Sequence, residues 1–278
     1  MTRAPPASSP SLKSTRWITP WAWAAKGSAS NTIWINCRSP WSSTAAASAA
    51  AKVTIYYEEN AQVEIVGPTG HRVLVDVWNP SALSAPATAQ DVLLTTHAHN
   101  DHFLQTFIDS FPGKKLTWEP GTIKLDDVSV TSIPSAHDEG TAITPVGANN
   151  YLYVIEIGGI RVTHFGDIGQ VELLPDQLGT IGQPDIAISQ LNNAFSTMNE
   201  ANKKGFNLMA QVKPRLIIPT HLSGATAQIA STTWHATFST KSAISIGKDQ
   251  LPAETTIVFM GSSASSYGTV LNLTESAW

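Results

Sequence analysis

The segment HAHNDH places three histidines and an aspartate within positions 97–102 of a chain that has eight histidines in total. His97 and His99 are two residues apart, so on an extended segment their side chains point the same way and can bind one metal ion. Asp101 and His102 follow at the start of a predicted helix, turned away from the first pair, and can serve a second ion. Imidazole nitrogen and carboxylate oxygen together suit zinc, and less exclusively iron or manganese.

A metal site needs more ligands than this segment supplies, and three later residues are candidates. His137 in IPSAHDEG, Asp167 in THFGDIG and His221 in IIPTHLSG each lie at an apparent strand-to-loop edge. Loops at the ends of buried strands are where rigid scaffolds place chemistry. We therefore expect His137, Asp167 and His221 to complete the site.

Two further residues are candidates for supporting the ligands without binding metal. Asp76 ends the apolar run RVLVD, where a carboxylate can hold the free N–H of a ligand histidine. An ordinary turn residue is the alternative for Asp76. His164 lies two residues before Gly166-Asp167, where it either supports the ligands or packs as a strand histidine.

The polar segment SQLNNAFSTMNEANKKGF lies between two predicted strands and is rich in amides and hydroxyls. We expect it to form part of a pocket wall, with Asn192, Asn193 and Ser196 as substrate contacts. Lys203 and Lys204 could attract a phosphate or carboxylate, but we favour the polar start of a surface helix for both.

These residues are positioned by a predicted α/β pattern that begins at Lys52. Apolar runs bounded by turn residues predict strands at KVTIYY, AQVEIVG, HRVLVDVW, DVLLTT, PDIAISQ, RLIIPTH, TTIVFMG and GTVLNLT, and a hairpin at YLYVIEIGGIRVTHFGD. Helical spacing predicts helices at DHFLQTFIDSF, VELLPDQLGTI and NKKGFNLMAQVK. We therefore expect one folded domain over residues 52–278.

Residues 1–51 have a different composition, rich in Ala, Ser and Trp and with little periodicity. Such a segment lacks the sustained apolar pattern that offsets chain entropy, so we expect a poorly ordered or peripherally packed extension. A secretory signal is the alternative, because basic residues precede WITPWAWAA and AAASAAA could contain a small-residue cleavage site. The apolar run is short and is broken by Pro20.

The composition limits partners and compartment. The formal net charge is −4 and the chain has no Lys/Arg run, so we expect no nucleic-acid partner. Cys37 is the only cysteine, which excludes an internal disulfide and suits a cytosolic protein, although export stays an alternative. No apolar stretch approaches the about 20 residues that span a bilayer, so we expect a soluble protein.

The His-x-His-x-Asp-His signature, a later lone histidine, a Gly-Asp after a hairpin and a histidine after an apolar strand resemble the metallo-β-lactamase-fold hydrolase superfamily. The resemblance covers about residues 52–278. The runs RVLVDVWNP, NNYLYVIEIGGIRVTHFGDIG and PRLIIPTHLSG are similar to the ascorbate-6-phosphate lactonase-like branch. The resemblance implies a four-layer αββα sandwich with two metal ions at one edge, between the sheets.

The resemblance also implies how the ligands divide. One ion would be held by His97, His99 and His137, the other by Asp101, His102 and His221, and Asp167 would bridge both. The chain departs from the branch at Asn60, where members often carry Gly-His near the end of the first strand, and at Ile168, which replaces the Thr of Gly-Asp-Thr. The absence of a cysteine near these positions disfavours the β-lactamases that use a thiolate ligand.

The resulting functional prediction is a binuclear hydrolase in which a metal-bridged hydroxide attacks a small ester, lactone or amide, with two Zn²⁺ ions, or Mn²⁺ or iron instead. Asp101 would orient the nucleophile and pass a proton to the leaving group. One alternative is a phosphodiesterase of phospholipase-D-like or cyclic-nucleotide type on the same metals. The others are a di-iron redox protein, which usually needs a flavin domain, and a non-catalytic metal-binding protein, which the complete ligand set disfavours.

Overall fold

Two β-sheets and three short helices make up the part of the chain that the computed structural model describes, residues 51–144, 147–221, 232, 234 and 236–261. The helices are α1 (Gln105–Ser110), α2 (Pro175–Ile181) and α3 (Lys204–Val212). The strands are β1 (Lys52–Glu59), β2 (Gln62–Val66), β3 (Arg72–Val75), β4 (Val92–Thr95), β5 (Lys114–Thr117), β6 (Gly121–Lys124), β7 (Val128–Ser135), β8 (Asn150–Ile157), β9 (Ile160–His164), β10 (Ile186–Gln190), β11 (Leu216–Thr220), β12 (Thr237–Phe238), β13 (Ala243–Gly247) and β14 (Thr256–Phe259).

The sheets differ in size and combine antiparallel and parallel pairs. The first has the order β13-β1-β2-β3-β4-β5, and the second β12-β14-β11-β10-β9-β8-β7-β6. In the first sheet β3, β4 and β5 run parallel, and in the second β9, β10, β11 and β14 do. Parallel neighbours end at the same edge of a sheet, so the loops that follow β9 and β11 start close together.

The main hydrophobic core lies between the two sheets. Alternate residues of β1, such as Val53, Ile55 and Tyr57, are fully buried in one cluster with residues of β8 to β11, such as Tyr153 and Ile188. Removing an aliphatic side chain of this size from water stabilises the fold by about 1.5–3 kcal/mol. The period-2 pattern of the strands therefore packs the sheets face to face.

The helices cover the outer faces of the sheets. On the first sheet, Ile108 of α1 packs in a cluster with Leu74 and Leu93. On the second sheet, Ile181 of α2 and Leu208 of α3 pack in a cluster with strand residues such as Leu152 and Ala187. The layer order is thus helix, sheet, sheet, helix, and the predicted α/β class with its αββα layering is confirmed.

Every strand predicted between Lys52 and TTIVFMG is present, but β5, β6, β7, β12 and β13 were not predicted, and two helix starts were wrong. The helix predicted from Val171 begins at Pro175. The helix predicted from Asp101 begins at Gln105, after an N-terminal cap at Leu104. Asp101 and His102 lie instead in a turn in which the His102 N–H donates to the His99 carbonyl at 2.9 Å. Residues 1–50 of the predicted extension and the predicted strand GTVLNLT lie outside the described residues.

None of the helices formed by the described residues is long and apolar enough to cross a membrane.

Candidate metal centre

The HAHNDH segment follows the buried strand β4 and folds into a compact turn. His97 and His102 are buried, whereas His99 is exposed and Asp101 is partly exposed. The ring centroid of His97 lies 4.4 Å from that of His99 and 4.0 Å from that of His102. The ring of His97 therefore contacts both other imidazoles of the segment, just beyond the end of β4.

The remaining candidate metal ligands lie at the ends of three other strands, close to this turn. His137 follows β7, and its ring lies 5.1 Å from that of His97 and 4.8 Å from that of His99. His221 follows β11, and its ring stacks on that of His102 at 5.3 Å. One potential ligand atom from each of His97, His99 and His137 lies within 4.8 Å of the others.

A second group lies beside the first. Potential ligand atoms of Asp101, His102 and His221 also lie within 4.8 Å of one another. Asp167 follows β9 and stands between the groups: its Oδ1 is 3.5 Å from His102 Nε2 and 3.3 Å from His221 Nε2, and its Oδ2 is 3.7 Å from His137 Nε2. The fold thus brings together all the residues predicted as ligands.

The donor atoms at this point are suited to a cation. Asp167 Oδ1 and the Nε2 atoms of His102, His137 and His221 are buried and have no hydrogen-bond partner among the described residues. A buried polar group left unpaired costs about 1–3 kcal/mol. Four such atoms converging from four loops form the type of nitrogen and oxygen donor set that binds zinc, so these residues fit a metal.

The charges around the site favour an ionised carboxylate. Burial raises the pKa of Asp167, but the charge of His221 and the nearby imidazoles of His102 and His137 outweigh it and hold the pKa well below its usual range. Burial and the neighbouring His102 lower the pKa of His97 to about 3. Neutral imidazole and ionised carboxylate are the forms that bind metal.

His102 is held by carboxylates on both ring nitrogens. Its burial lowers the pKa, but the charges of Asp76 and Asp167 and the hydrogen bond with Asp76 raise it to about 10. Asp76 Oδ2 is 2.9 Å from His102 Nδ1, and Asp76 Oδ1 accepts from the Thr96 N–H at 2.7 Å. Asp76 thereby turns Nε2 of His102 towards Asp167.

His164 does not join the ligand groups. It is fully buried, its Nε2 lies 3.3 Å from the Ala61 carbonyl oxygen, and its Nδ1 accepts from the Gly166 N–H at 3.1 Å. Burial lowers the pKa of His164, so the ring is neutral. It packs as a strand histidine that also holds the backbone next to Asp167.

The Asp167 loop depends on Gly166 and on Asn150, and the sequence analysis did not single out Asn150. Gly166 has φ +54°, and a Cβ there would lie 2.4 Å from Asn150 Oδ1, which explains the glycine. Asn150 Oδ1 accepts from the Asp167 N–H at 3.1 Å, and Asn150 Nδ2 donates to the Phe165 carbonyl at 3.0 Å. The Gly before Asp167 was the one available signal for this tight turn.

His221 is supported by the residue at which the chain departs from the lactonase-like branch. The His221 N–H donates to the Asn60 carbonyl at 2.9 Å, and both residues have a positive φ, +56° and +49°. Asn tolerates this left-handed conformation better than most residues. Asn60 therefore supports His221 through its backbone.

The segment predicted to contact substrate is directed at Asp167. Asn193 Nδ2 donates to Asp167 Oδ2 at 3.2 Å, and the Ser196 hydroxyl donates to the Asp167 carbonyl at 3.0 Å. Asn192 is half-buried. The surface-helix expectation is wrong for Lys204, which is 3% exposed and donates to the carbonyls of Gly169 and Ser196.

An open cavity of about 250 Å³ lies against the first ligand group. Its described lining consists of the three histidines of that group and Ala98, Trp118, Asp138, Ala148 and Asn149. Asn192, Asn193 and Ser196 are not among these lining residues. Trp118 was not anticipated, because a lone tryptophan after a short apolar run is typical of a core position.

The region that contains the predicted ligands is similar in sequence to known proteins. Residues 54–221, which include every predicted ligand, match the family model described as a beta-lactamase superfamily domain. The UPF0173 metal-dependent hydrolase of Thermococcus onnurineus is 27% identical over 197 residues, which cover 61% of this chain and 84% of that protein. A UPF0173 metal-dependent hydrolase of Cupriavidus taiwanensis is 26% identical over 220 residues, covering 62% and 75%.

A solved structure shares the fold. It is that of a candidate Zn-dependent hydrolase of the metallo-beta-lactamase superfamily from Thermotoga maritima, which superimposes with a TM-score of 0.55 at 21% identity. The match covers 76% of this chain and 99% of that one.

Proposed function

This chain belongs to the metallo-β-lactamase superfamily and is a metal-dependent hydrolase, and from that premise we propose that it uses two metal ions to cleave a small ester, lactone or amide. The observation that carries the proposal is the pair of ligand groups that meet at Asp167. A carboxylate that reaches histidines of both groups is suited to two ions rather than one. The lactonase-like branch stays a prediction.

The residues divide between the ions as follows in this proposal. His97, His99 and His137 would hold one ion, Asp101, His102 and His221 the other, and Asp167 both. The nitrogen-rich donor set favours Zn²⁺, with Mn²⁺ or iron as alternatives. When bound, the ions would supply Lewis acidity and a water of lowered pKa.

Asp101 is the candidate catalytic residue among these. It is partly exposed, next to the buried His102, and it belongs to the same ligand group as His221. A carboxylate at the open side of the site can accept a proton from the nucleophile and pass it to the leaving group. In this proposal three residues position parts of the site without binding metal. Asp76 positions His102, His164 positions Gly166, and Asn193 positions Asp167.

The test compares hydrolysis of p-nitrophenyl acetate and a simple lactone with that of bis(p-nitrophenyl) phosphate. We expect kcat/KM for the neutral substrates to exceed that for the diester at least tenfold. Activity should fall at least a hundredfold after chelation and in Asp167→Ala. Asp127→Asn, a carboxylate variant outside the ligand groups, should keep it.

Preferential cleavage of the diester would instead support a phosphodiesterase on the same residues. Full activity in Asp167→Ala would overturn the shared-ligand proposal.

A further inference from the structure

The cavity beside the first ligand group has one large apolar wall, the indole of Trp118. His97, His99 and His137 line the same cavity, so a group that contacts Trp118 in it lies near the proposed reacting centre. Ala148 adds a small apolar surface and Asn149 a polar one. An apolar cavity of about 150 Å³ can hold a benzene ring, so a cavity of about 250 Å³ has room for a single ring.

The backbone of Trp118 is in an unusual conformation. Its φ is +41°, a left-handed value that bulky residues rarely adopt. Such a conformation persists only where the surroundings determine it, and it is concentrated at functional sites. The contacts around Trp118 therefore hold its backbone in a strained conformation.

The pairing of the preceding strand and two contacts of its own fix the position of Trp118. It follows β5, whose Thr117 pairs with Thr95 of β4, so it lies at the same sheet edge as His97. Its N–H donates to the Thr95 carbonyl at 2.8 Å. Its ring packs edge-on against Phe103, with centroids 5.3 Å apart. The half-buried indole is therefore a rigid wall rather than a mobile surface side chain.

The described side chains of the cavity include no cationic partner for an anionic group. Among its described lining residues none is a lysine or arginine, and Asp138, with a side chain 60% exposed, adds a carboxylate. Lys204, which lies near the Asp167 loop, is buried and paired with Glu139 at 2.5 Å. Apart from an ion held by the three histidines, the described lining offers an anionic group one carboxylate and no cationic side chain, whereas an uncharged ring needs no cationic partner.

We propose that this cavity is the subsite for an uncharged, flat apolar group of the substrate, with Trp118 as the residue that selects it. The inference rests on the proposed function and narrows its substrate class to neutral esters, lactones or amides that carry an aromatic or similarly flat group.

The test measures binding of N-phenylacetamide, and of its anionic analogue 4-acetamidobenzoate, by ligand-detected NMR titration. We expect the neutral compound to bind at least tenfold more tightly. Trp118→Ala should weaken its binding at least fivefold, and Trp118→Phe, which keeps a ring, should stay within about threefold of the original protein. Phe195→Ala is the matched control, since Phe195 is an aromatic side chain, 83% exposed, that does not line the cavity.

Equal binding in Trp118→Ala, an equal loss in Phe195→Ala, or tighter binding of the anion would overturn the subsite. Kinetics separate this result from the proposed function. With phenyl acetate and methyl acetate as substrates, Trp118→Ala should raise KM for the phenyl ester alone. Hydrolysis of both esters without that change refutes the subsite and leaves the function standing. Binding through Trp118 without hydrolysis of any neutral ester refutes the function and leaves the subsite standing.

Discussion

The orientation of His102 is set by the atoms that face its two nitrogens. Asp76 Oδ2 lies 2.9 Å from Nδ1, which leaves Nε2 pointing at Asp167 Oδ1, 3.5 Å away. A carboxylate that orients a ligand imidazole also raises its basicity. Asp76 is therefore part of the site although it would not touch the metal.

The Asp76→Asn variant tests this role. An amide can accept at one atom only, so it cannot receive bonds from the Thr96 N–H, the Thr96 hydroxyl and His102 together. We expect the affinity for Zn²⁺ to fall about 10–100-fold, measured by competition with a chromophoric chelator. Asp127→Asn is the control, because Asp127 pairs with His71 at 2.6 Å in a different part of the chain. Equal affinities in the two variants would contradict the role.

Residue type and spacing carried the prediction of the ligands but could not determine where other polar side chains point. Asn193 and Ser196 were expected in the pocket because their segment is polar, yet both bond to Asp167. Trp118 and Asn150 gave no separate signal, since an aromatic or amide near a strand end has many ordinary roles. These roles depend on contacts between residues far apart in the chain.

Helix α3 links two loops of the site through its first residue. Lys204 Nζ donates to the Gly169 carbonyl at 2.9 Å and the Ser196 carbonyl at 3.0 Å, and it pairs with Glu139. Gly169 is two residues after Asp167, and Glu139 is two residues after His137. The buried ammonium of Lys204 therefore connects the segments that carry two predicted ligands, His137 and Asp167.

We expect Lys204→Met to lower the free energy of unfolding by about 2–3 kcal/mol, because it leaves two buried carbonyls without a charged donor. Activity should fall as well, since the loops lose a common anchor. Lys203→Met, a change at an exposed neighbour, should stay within about 0.5 kcal/mol. The measurement is urea denaturation of both variants. Equal losses of unfolding free energy in the two variants would refute this stabilising role of Lys204.

A buried acidic cluster lies on the outer face of β1 to β3. Burial, together with the charge of Glu64, raises the pKa of Glu58 to about 8, although a hydrogen bond from Gln62 opposes the shift. Arg72 pairs with Glu64 at 3.1 Å and with Asp91 at 2.5 Å, so its charge is already shared by two carboxylates. Glu58 is therefore protonated in the folded protein near neutral pH.

This shift gives a signed prediction for stability. The folded state binds the Glu58 proton more tightly than the unfolded state, in which the pKa is near the ordinary glutamate value of 4.5. The stabilisation is therefore complete below pH 4.5 and is lost as pH rises to about 8, with a slope of about 1.4 kcal/mol per pH unit. Glu58→Gln should remove this slope, measured as unfolding free energy between pH 5 and 9, and Glu59→Gln should keep it. An unchanged slope in Glu58→Gln would contradict the assignment.

Strands with a dense apolar run were predicted, including the four-residue β3 and β4, whereas β5, β6 and β7 were not, although β7 is eight residues long and alternates in burial. The pattern of β1, with Val53, Ile55 and Tyr57 buried, was visible in KVTIYY. β5 was missed because its first two residues are exposed lysines and only Leu116 is buried. The start of α1 was misplaced because Leu104 makes no side-chain cap there, so no capping residue marked the boundary.

At the scale of the whole molecule, the αββα layers bring four strand ends to one place. The predicted ligands are spread over residues 97–221 and follow β4, β7, β9 and β11, which belong to two different sheets. The sequence showed that these runs end in His or Asp, but no spacing rule gives distances between residues so far apart. The resemblance to a known superfamily supplied that arrangement in advance, and packing of the sheets produces it.

Metal content tests the central claim most directly. We predict about two zinc ions per chain by inductively coupled plasma mass spectrometry of the purified protein. Asp167→Ala should bind fewer, and His71→Ala, at a histidine outside the ligand groups, should keep both. A content of one ion or none per chain, in protein saturated with zinc and freed of excess, would contradict a two-metal hydrolase.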